Sequence, residues 1–145
     1  MIINEKSINT PDELLNIISD GLNPLDHISN LEDVDFIAHT ITHPASSTDT
    51  FFNDTSEMLL KSIILYLLAT DSSSISLEFC KDLISKEINN SDQEKTFSKL
   101  FDSLNFDHPA KMNYNSIKIL PPKTYLETCR VLSNHISSVL KKNIK

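Results

Sequence analysis

The residues whose types and spacing come nearest to chemistry are Asp35, His39 and His43. Spaced by four, they share one face of a helix. Two imidazoles and a carboxylate at that spacing could hold a divalent metal. No glutamate lies between the histidines to act as a base, unlike the zinc-protease helix motif. The simpler account is a solvated polar face, with His43 at a helix end where partial negative charge favours it, and no metal ligand is assigned. Serine and histidine are both present, yet no serine sits in a glycine-flanked elbow and nothing marks an oxyanion hole. The scattered carboxylates offer no pair that stands out for acid–base work. Pro122-Lys123-Thr124 is similar to the end of a phosphate loop, but a helix start with proline in its first turn accounts for it.

Glycine occurs once, at Gly21. Phosphate-cradling loops, dinucleotide fingerprints and nucleophile elbows all need glycine where the backbone turns sharply or approaches a ligand. No catalytic or cofactor-binding residue and no cofactor are therefore expected, and the chain is expected to act by binding.

The elements that carry these residues are helical. Thr10-Pro11-Asp12-Glu13 forms a capping box with proline at the first helical position, followed by Leu14, Ile17 and Ile18 and closed by Gly21. Asn23-Pro24 makes an extended or turned link. A second helix from about Asn30 to His43 points Leu31, Val34, Ala38 and Ile41 inward and stops before Pro44. The third, about 54–70, is apolar nearly all round its second half, so other helices must surround it. Phe51 and Phe52, just before it, are expected to cover the end of the core.

A fourth helix, about Ser76 to Ile88, turns Leu77, Cys80, Ile84 and Ile88 inward and Glu78, Asp82 and Lys86 outward. Ser91-Asp92-Gln93-Glu94 reads as a second capping box, opening a fifth helix with Phe97, Leu100, Phe101 and Leu104 on one face. A sixth segment carries Met112, Tyr114, Ile117 and Leu120 and is broken at Pro121-Pro122. The last helix, from Pro122 to about Lys142, points Leu126, Cys129, Leu132, Ile136 and Val139 inward. Lys141, Lys142 and Lys145 suit its C-terminal end. The expectation is all-α: a compact bundle of six to seven helices around a central apolar helix, in a single domain, 1–145.

Composition narrows the binding partner. With 145 residues, 39% hydrophobic, the chain can bury a core without metal or disulfide staples. The formal net charge is −7, with pI near 5.1. No basic patch interleaved with aromatics is available to neutralise phosphates, so tight direct nucleic-acid binding is not expected. An acidic domain suits a basic protein partner, with an attraction that weakens in salt. Cys80 and Cys129 fall on apolar stripes and are read as buried, reduced thiols, which suits a cytoplasmic protein. Asn4, Glu5 and Lys6 interrupt the first apolar residues, which argues against a signal peptide. The run Ile63 to Ala69 is far short of the ~20 residues that span a bilayer, so no membrane contact by this domain is expected.

Several segments, taken in order, carry a resemblance. They are Asn23-Pro24-Leu25 with Ile28; Leu31-Glu32-Asp33-Val34 on to Ile41; Thr50-Phe51-Phe52 with Glu57, Leu59-Leu60 and Ile64-Leu65-Tyr66-Leu67; and Asp107-His108-Pro109, Tyr114 and Lys123-Thr124 before the last helix. Their order and spacing, over about 22–140, resemble the inserted all-helical domain of type IV secretion coupling proteins, the TraG/TraD-like conjugation ATPases. Thr50 stands where proline is usual there, Phe52 where tryptophan is usual, and Pro121-Pro122 where a small residue and glycine are usual.

The resemblance implies a domain inserted into a hexameric, membrane-anchored nucleotide-binding motor. Such a domain faces the cytoplasm and helps select a relaxase–DNA complex or effector proteins for export. On that footing the chain is expected to be the substrate-recognition part of a larger motor ATPase. It would bind a relaxase, a relaxosome accessory protein or a secretion signal, hydrolyse nothing itself, and be monomeric in isolation. The expected contact surface is the loop Asn89, Asn90, Asp92 and Gln93 with the carboxylates Asp82, Glu87, Glu94 and Asp102. The alternative is a free-standing helical adaptor or regulatory protein-binding domain; a metal-dependent enzyme built on Asp35, His39 and His43 is a third reading.

Overall fold

A computed structural model describes residues 10–70, 75–90 and 95–141. They form seven α-helices and one short 3₁₀ helix: α1 (Pro11–Ser19), the 3₁₀ turn (Pro24–His27), α2 (Leu31–Thr42), α3 (Thr50–Ala69), α4 (Leu77–Ile88), α5 (Thr96–Phe101), α6 (Pro109–Lys118) and α7 (Pro122–Lys141). No strand occurs among the described residues.

Local chemistry explains most boundaries. The Thr10 hydroxyl accepts from the Glu13 amide, and the Glu13 carboxylate accepts from the Thr10 amide, which is the expected capping box. At the other end of α1 the Leu22 amide donates to the Ile17 carbonyl and the Gly21 amide to Ile18. This paired closure needs a left-handed residue, and Gly21 supplies it at φ 81°. The link at Asn23-Pro24 tightens into the 3₁₀ turn, held by the Asn23 side chain, which accepts from the Leu25 amide and donates to the Ile75 carbonyl at 2.7 Å. Asn30, Asp49 and Ser76 cap α2, α3 and α4. The break expected at Pro121-Pro122 separates α6 from α7. The capping box expected at Ser91–Glu94 and the terminal Lys142 and Lys145 lie outside the described residues.

The helix expected at the centre is there, and it begins earlier than expected. Asp49 caps it by accepting from the Phe52 amide, so Phe51 and Phe52 belong to the first turn of α3 and do not precede it. The two rings meet edge to face; Phe52 is half-buried and Phe51 is 50% exposed. Helix α3 packs against α2, α6 and α7, and α4 packs against α7. Leu59, Leu60, Ile63, Ile64, Leu65 and Leu67 of α3 are all buried, the all-round burial that its composition requires.

Small polar residues on α3 are buried too. The hydroxyls of Ser56 and Ser62 bond to carbonyls of the preceding turn, and Thr55 meets Thr128 of α7 at 3.0 Å. Among the described residues no buried side-chain nitrogen or oxygen lacks a partner. None of the described helices is long and apolar enough to cross a membrane.

Two side chains expected to point inward, Met112 and Leu31, do not. Met112 is 56% exposed. It lies two residues from both Ala110 and Tyr114, roughly 200° round the helix from each buried position. Leu31, in the first turn of α2, is 57% exposed and borders a groove. Ile119, beyond the end of α6, is also exposed. Ile88 and Leu126, also expected inward, are half-buried.

Candidate functional site

The expected contact surface divides into three parts. Asp82 on α4, Asn89 at its C-cap and Asp102 at the C-cap of α5 are exposed, with Glu78 and Lys86 on the same solvent side of α4. Asp92, Gln93 and Glu94 lie outside the described residues. Asn90 is half-buried and donates to the Thr96 hydroxyl at 3.1 Å. Glu87 does not belong to the surface: it is only 3% exposed.

The reason lies in the α4 repeat. Position 87 follows Cys80 by seven, Leu83 by four and Ile84 by three, so it sits on the buried stripe that those residues define. There the carboxylate is fully employed. Oε1 accepts from the Thr96 amide at 2.8 Å, capping α5 from a distance, and Oε2 accepts from the Tyr125 hydroxyl. The Tyr125 oxygen lies 3.0 Å from that of Tyr114, which lies 3.1 Å from Ser98 Oγ. With the Tyr125 proton committed to Glu87, Tyr114 donates to Tyr125 and Ser98 donates to Tyr114. A single line of hydroxyls therefore joins α5, α6, α7 and α4.

Phe97 and Phe101 pack around Tyr114, and the Lys95 ammonium lies 5.0 Å from the Tyr125 ring centre. Burial pushes the Tyr114 phenol up from 10.0 to about 12. The Tyr125 phenol is raised as well, by burial first and by Tyr114 second. Both remain donors across any ordinary pH. The sequence signal for this centre was available in the α4 stripe and in Tyr125, which stands seven before Leu132 and four before Cys129 on the buried face of α7.

The histidines assemble differently from the single-face pattern. His39 and His43 stack with ring centres 4.0 Å apart and planes 14° from parallel. Asp35 turns instead to Lys61 of α3, at 3.3 Å. The carboxylate that meets the rings is Glu57 of α3: its Oε1 is 3.1 Å from His39 Nδ1 and 3.6 Å from His43 Nδ1. Asp54, one turn earlier, takes His43 Nε2 at 2.9 Å. The neighbouring Asn53 accepts from His135 Nε2 of α7 at 2.9 Å. The pKa of His135 is lowered, by burial first and by His43 second, against an opposing effect of Asp49. No spacing within one helix could have pointed to Glu57, because it reaches the cluster only through the packing of α3 on α2.

A third feature is a shallow apolar groove of about 450 Å³, bordered by Leu31 and Val34 of α2, Leu65 and Leu68 of α3, and Pro109 at the start of α6. Among the described residues the glycine-rich loop that phosphate binding requires has no counterpart, and the two cysteines are buried and unpaired. Burial raises both thiols from 9.0 to about 12. At neutral pH neither is a nucleophile.

Comparison with known proteins identifies a family. A family model described as type IV secretory system conjugative DNA transfer aligns with residues 12–141. No curated protein and no solved structure matches the chain.

Proposed function

From the premise that this chain belongs to the type IV secretory system conjugative DNA transfer family, we propose that it is the substrate-docking domain of a coupling protein. In this reading it binds a relaxase, a relaxosome accessory protein or an export signal and hydrolyses nothing itself, while a motor to which it belongs supplies nucleotide chemistry on the cytoplasmic side of a membrane. The observation that carries the reading is the extent of the family match, 12–141, which takes in every helix from the first turn of α1 to the end of α7. Two features support it. The single glycine leaves no phosphate loop in the chain, and the net charge of −7 favours a basic protein partner over a nucleic acid.

The docking surface in this reading is the solvent side of α4 with the α4–α5 connection and the end of α5, where Asp82, Asn89 and Asp102 are exposed. Glu87 contributes by holding α5 in place and not by touching the partner. Titration calorimetry against the cognate relaxase tests the proposal. Binding that weakens as salt rises, and that Asp82→Lys weakens further, supports it. No heat and no complex even at low salt would overturn it.

A further inference from the structure

The His39–His43–Glu57 cluster has more lone pairs than protons. His43 Nε2 is 2.9 Å from Asp54 Oδ1, an acceptor, so in the neutral ring the proton resides on Nε2. Nδ1 then presents a lone pair. Its neighbours are Thr42 Oγ1 at 3.0 Å, the His39 carbonyl oxygen at 3.3 Å and Glu57 Oε1 at 3.6 Å. The Thr42 hydroxyl already donates to the Ala38 carbonyl at 2.8 Å, so none of the three gives Nδ1 a proton. The same Glu57 oxygen is the partner of His39 Nδ1 at 3.1 Å. Two ring nitrogens and one carboxylate oxygen thus converge, all within 4.8 Å of one another.

We propose that His39, His43 and Glu57 bind a divalent transition-metal ion, of which Zn²⁺ is the representative, clipping α2 to α3. In tetrahedral zinc sites ligand distances near 2.0–2.1 Å set donor atoms about 3.3 Å apart; the contacts of 3.1 and 3.6 Å to Glu57 bracket that edge, and the nitrogen–nitrogen edge, within 4.8 Å, closes on the ion when the exposed His39 ring turns out of its stack on His43. The cation takes the place of the proton on His39 Nδ1 and fills the lone-pair side of His43. Imidazole donors favour zinc, nickel or cobalt over magnesium or calcium.

Asp54 plays the part that a carboxylate commonly plays behind a metal-bound histidine: it takes the far N–H and fixes the ring's tautomer and orientation. His39 is well exposed, which leaves a route of entry and room for water on the open side of the ion. The ligands flank the 43–49 connection, so the ion ties the end of α2 to the first turns of α3 across that loop. Binding to the folded state alone stabilises it by mass action. This site is independent of the docking surface on α4 and α5.

The test uses the full chain, stripped with a chelator. Titration with Zn²⁺ near neutral pH is expected to bind one equivalent and to raise Tm above its value in chelator, and Co²⁺ is expected to give the intense visible bands of a four-coordinate site. Glu57→Gln, which keeps size and helix, and His39→Asn, at an exposed position, should each abolish saturable binding while circular dichroism stays unchanged. Asp54→Asn should weaken it by about tenfold, and Asp35→Asn should leave it intact. Absence of saturable binding at micromolar Zn²⁺ would overturn the proposal. Binding that survives Glu57→Gln but is lost in Asp35→Asn would overturn it equally, in favour of a site along the α2 face.

Discussion

The Tyr125 hydroxyl of α7 donates to the Glu87 carboxylate of α4 in the interior of the bundle, and the other oxygen of that carboxylate caps α5 through the Thr96 amide. One acidic side chain therefore holds three helices in register. Removing it leaves a buried hydroxyl and a helix N-terminus without their acceptor. Glu87→Ala is expected to cost about 2–4 kcal/mol in urea denaturation, and Tyr125→Phe about 1–2 kcal/mol. Equal and negligible effects of both would show that the line of hydroxyls contributes nothing to stability.

Charge on the α4 surface should behave in the opposite way. Asp82 and Asp102 are exposed, so Asp82→Lys and Asp102→Lys are expected to change stability by no more than about 0.5 kcal/mol. Both should weaken relaxase binding and flatten its salt dependence. Glu87→Gln, compared at equal folded fraction, should leave affinity unchanged. If Glu87→Gln weakens binding as much as Asp82→Lys does, the contact surface has been misplaced.

Alkaline pH should unfold the chain through its buried acids. Burial raises the Cys80 and Cys129 thiols from 9.0 to about 12. Between those values the folded chain keeps protons that the unfolded chain has lost, so the slope of stability against pH is negative. Their contribution is complete below pH 9.0 and is lost as pH rises towards about 12. Chemical denaturation across that window, in the wild type and in Cys80→Ala/Cys129→Ala, measures it; the variant should show the shallower decline. At neutral pH both thiols should react with a thiol reagent only as fast as the chain opens.

The apolar stripes make a further contrast. Ile64→Ala, at a fully buried position of α3, should cost about 2–5 kcal/mol. Leu31→Ala should cost far less, because Leu31 is exposed at the groove edge. Comparable losses at the two positions would mean that the start of α2 is packed more tightly than its exposure indicates.

The helical layout could be read along the chain because its causes are local. Capping groups at Thr10 and Ser76, the left-handed Gly21 and the Pro121-Pro122 break act within a few residues of one another, and the all-apolar second half of α3 calls for surrounding helices whatever their identity. Where the reading failed, a local habit outweighed the repeat. The usual exposure of carboxylates predicts Glu87 outside, whereas the Cys80–Leu83–Ile84 stripe puts it inside. The polar loop before Phe51 and Phe52 predicts a helix that starts after them, whereas Asp49 caps it one turn earlier.

The sequence by itself determined that this chain is an all-helical bundle with a central apolar helix and without a glycine-built phosphate site, since periodicity, caps and the lone Gly21 follow from bonds and backbone angles close along the chain. Only the tertiary structure decided which distant groups meet. Glu57 joins His39 and His43 in place of Asp35, and Tyr125 reaches Glu87, because α3 crosses α2 and α7 crosses α4 at positions set by how whole faces pack. Such meetings depend on side chains far apart in the chain fitting together at close-packed density, which no repeat within a single helix encodes.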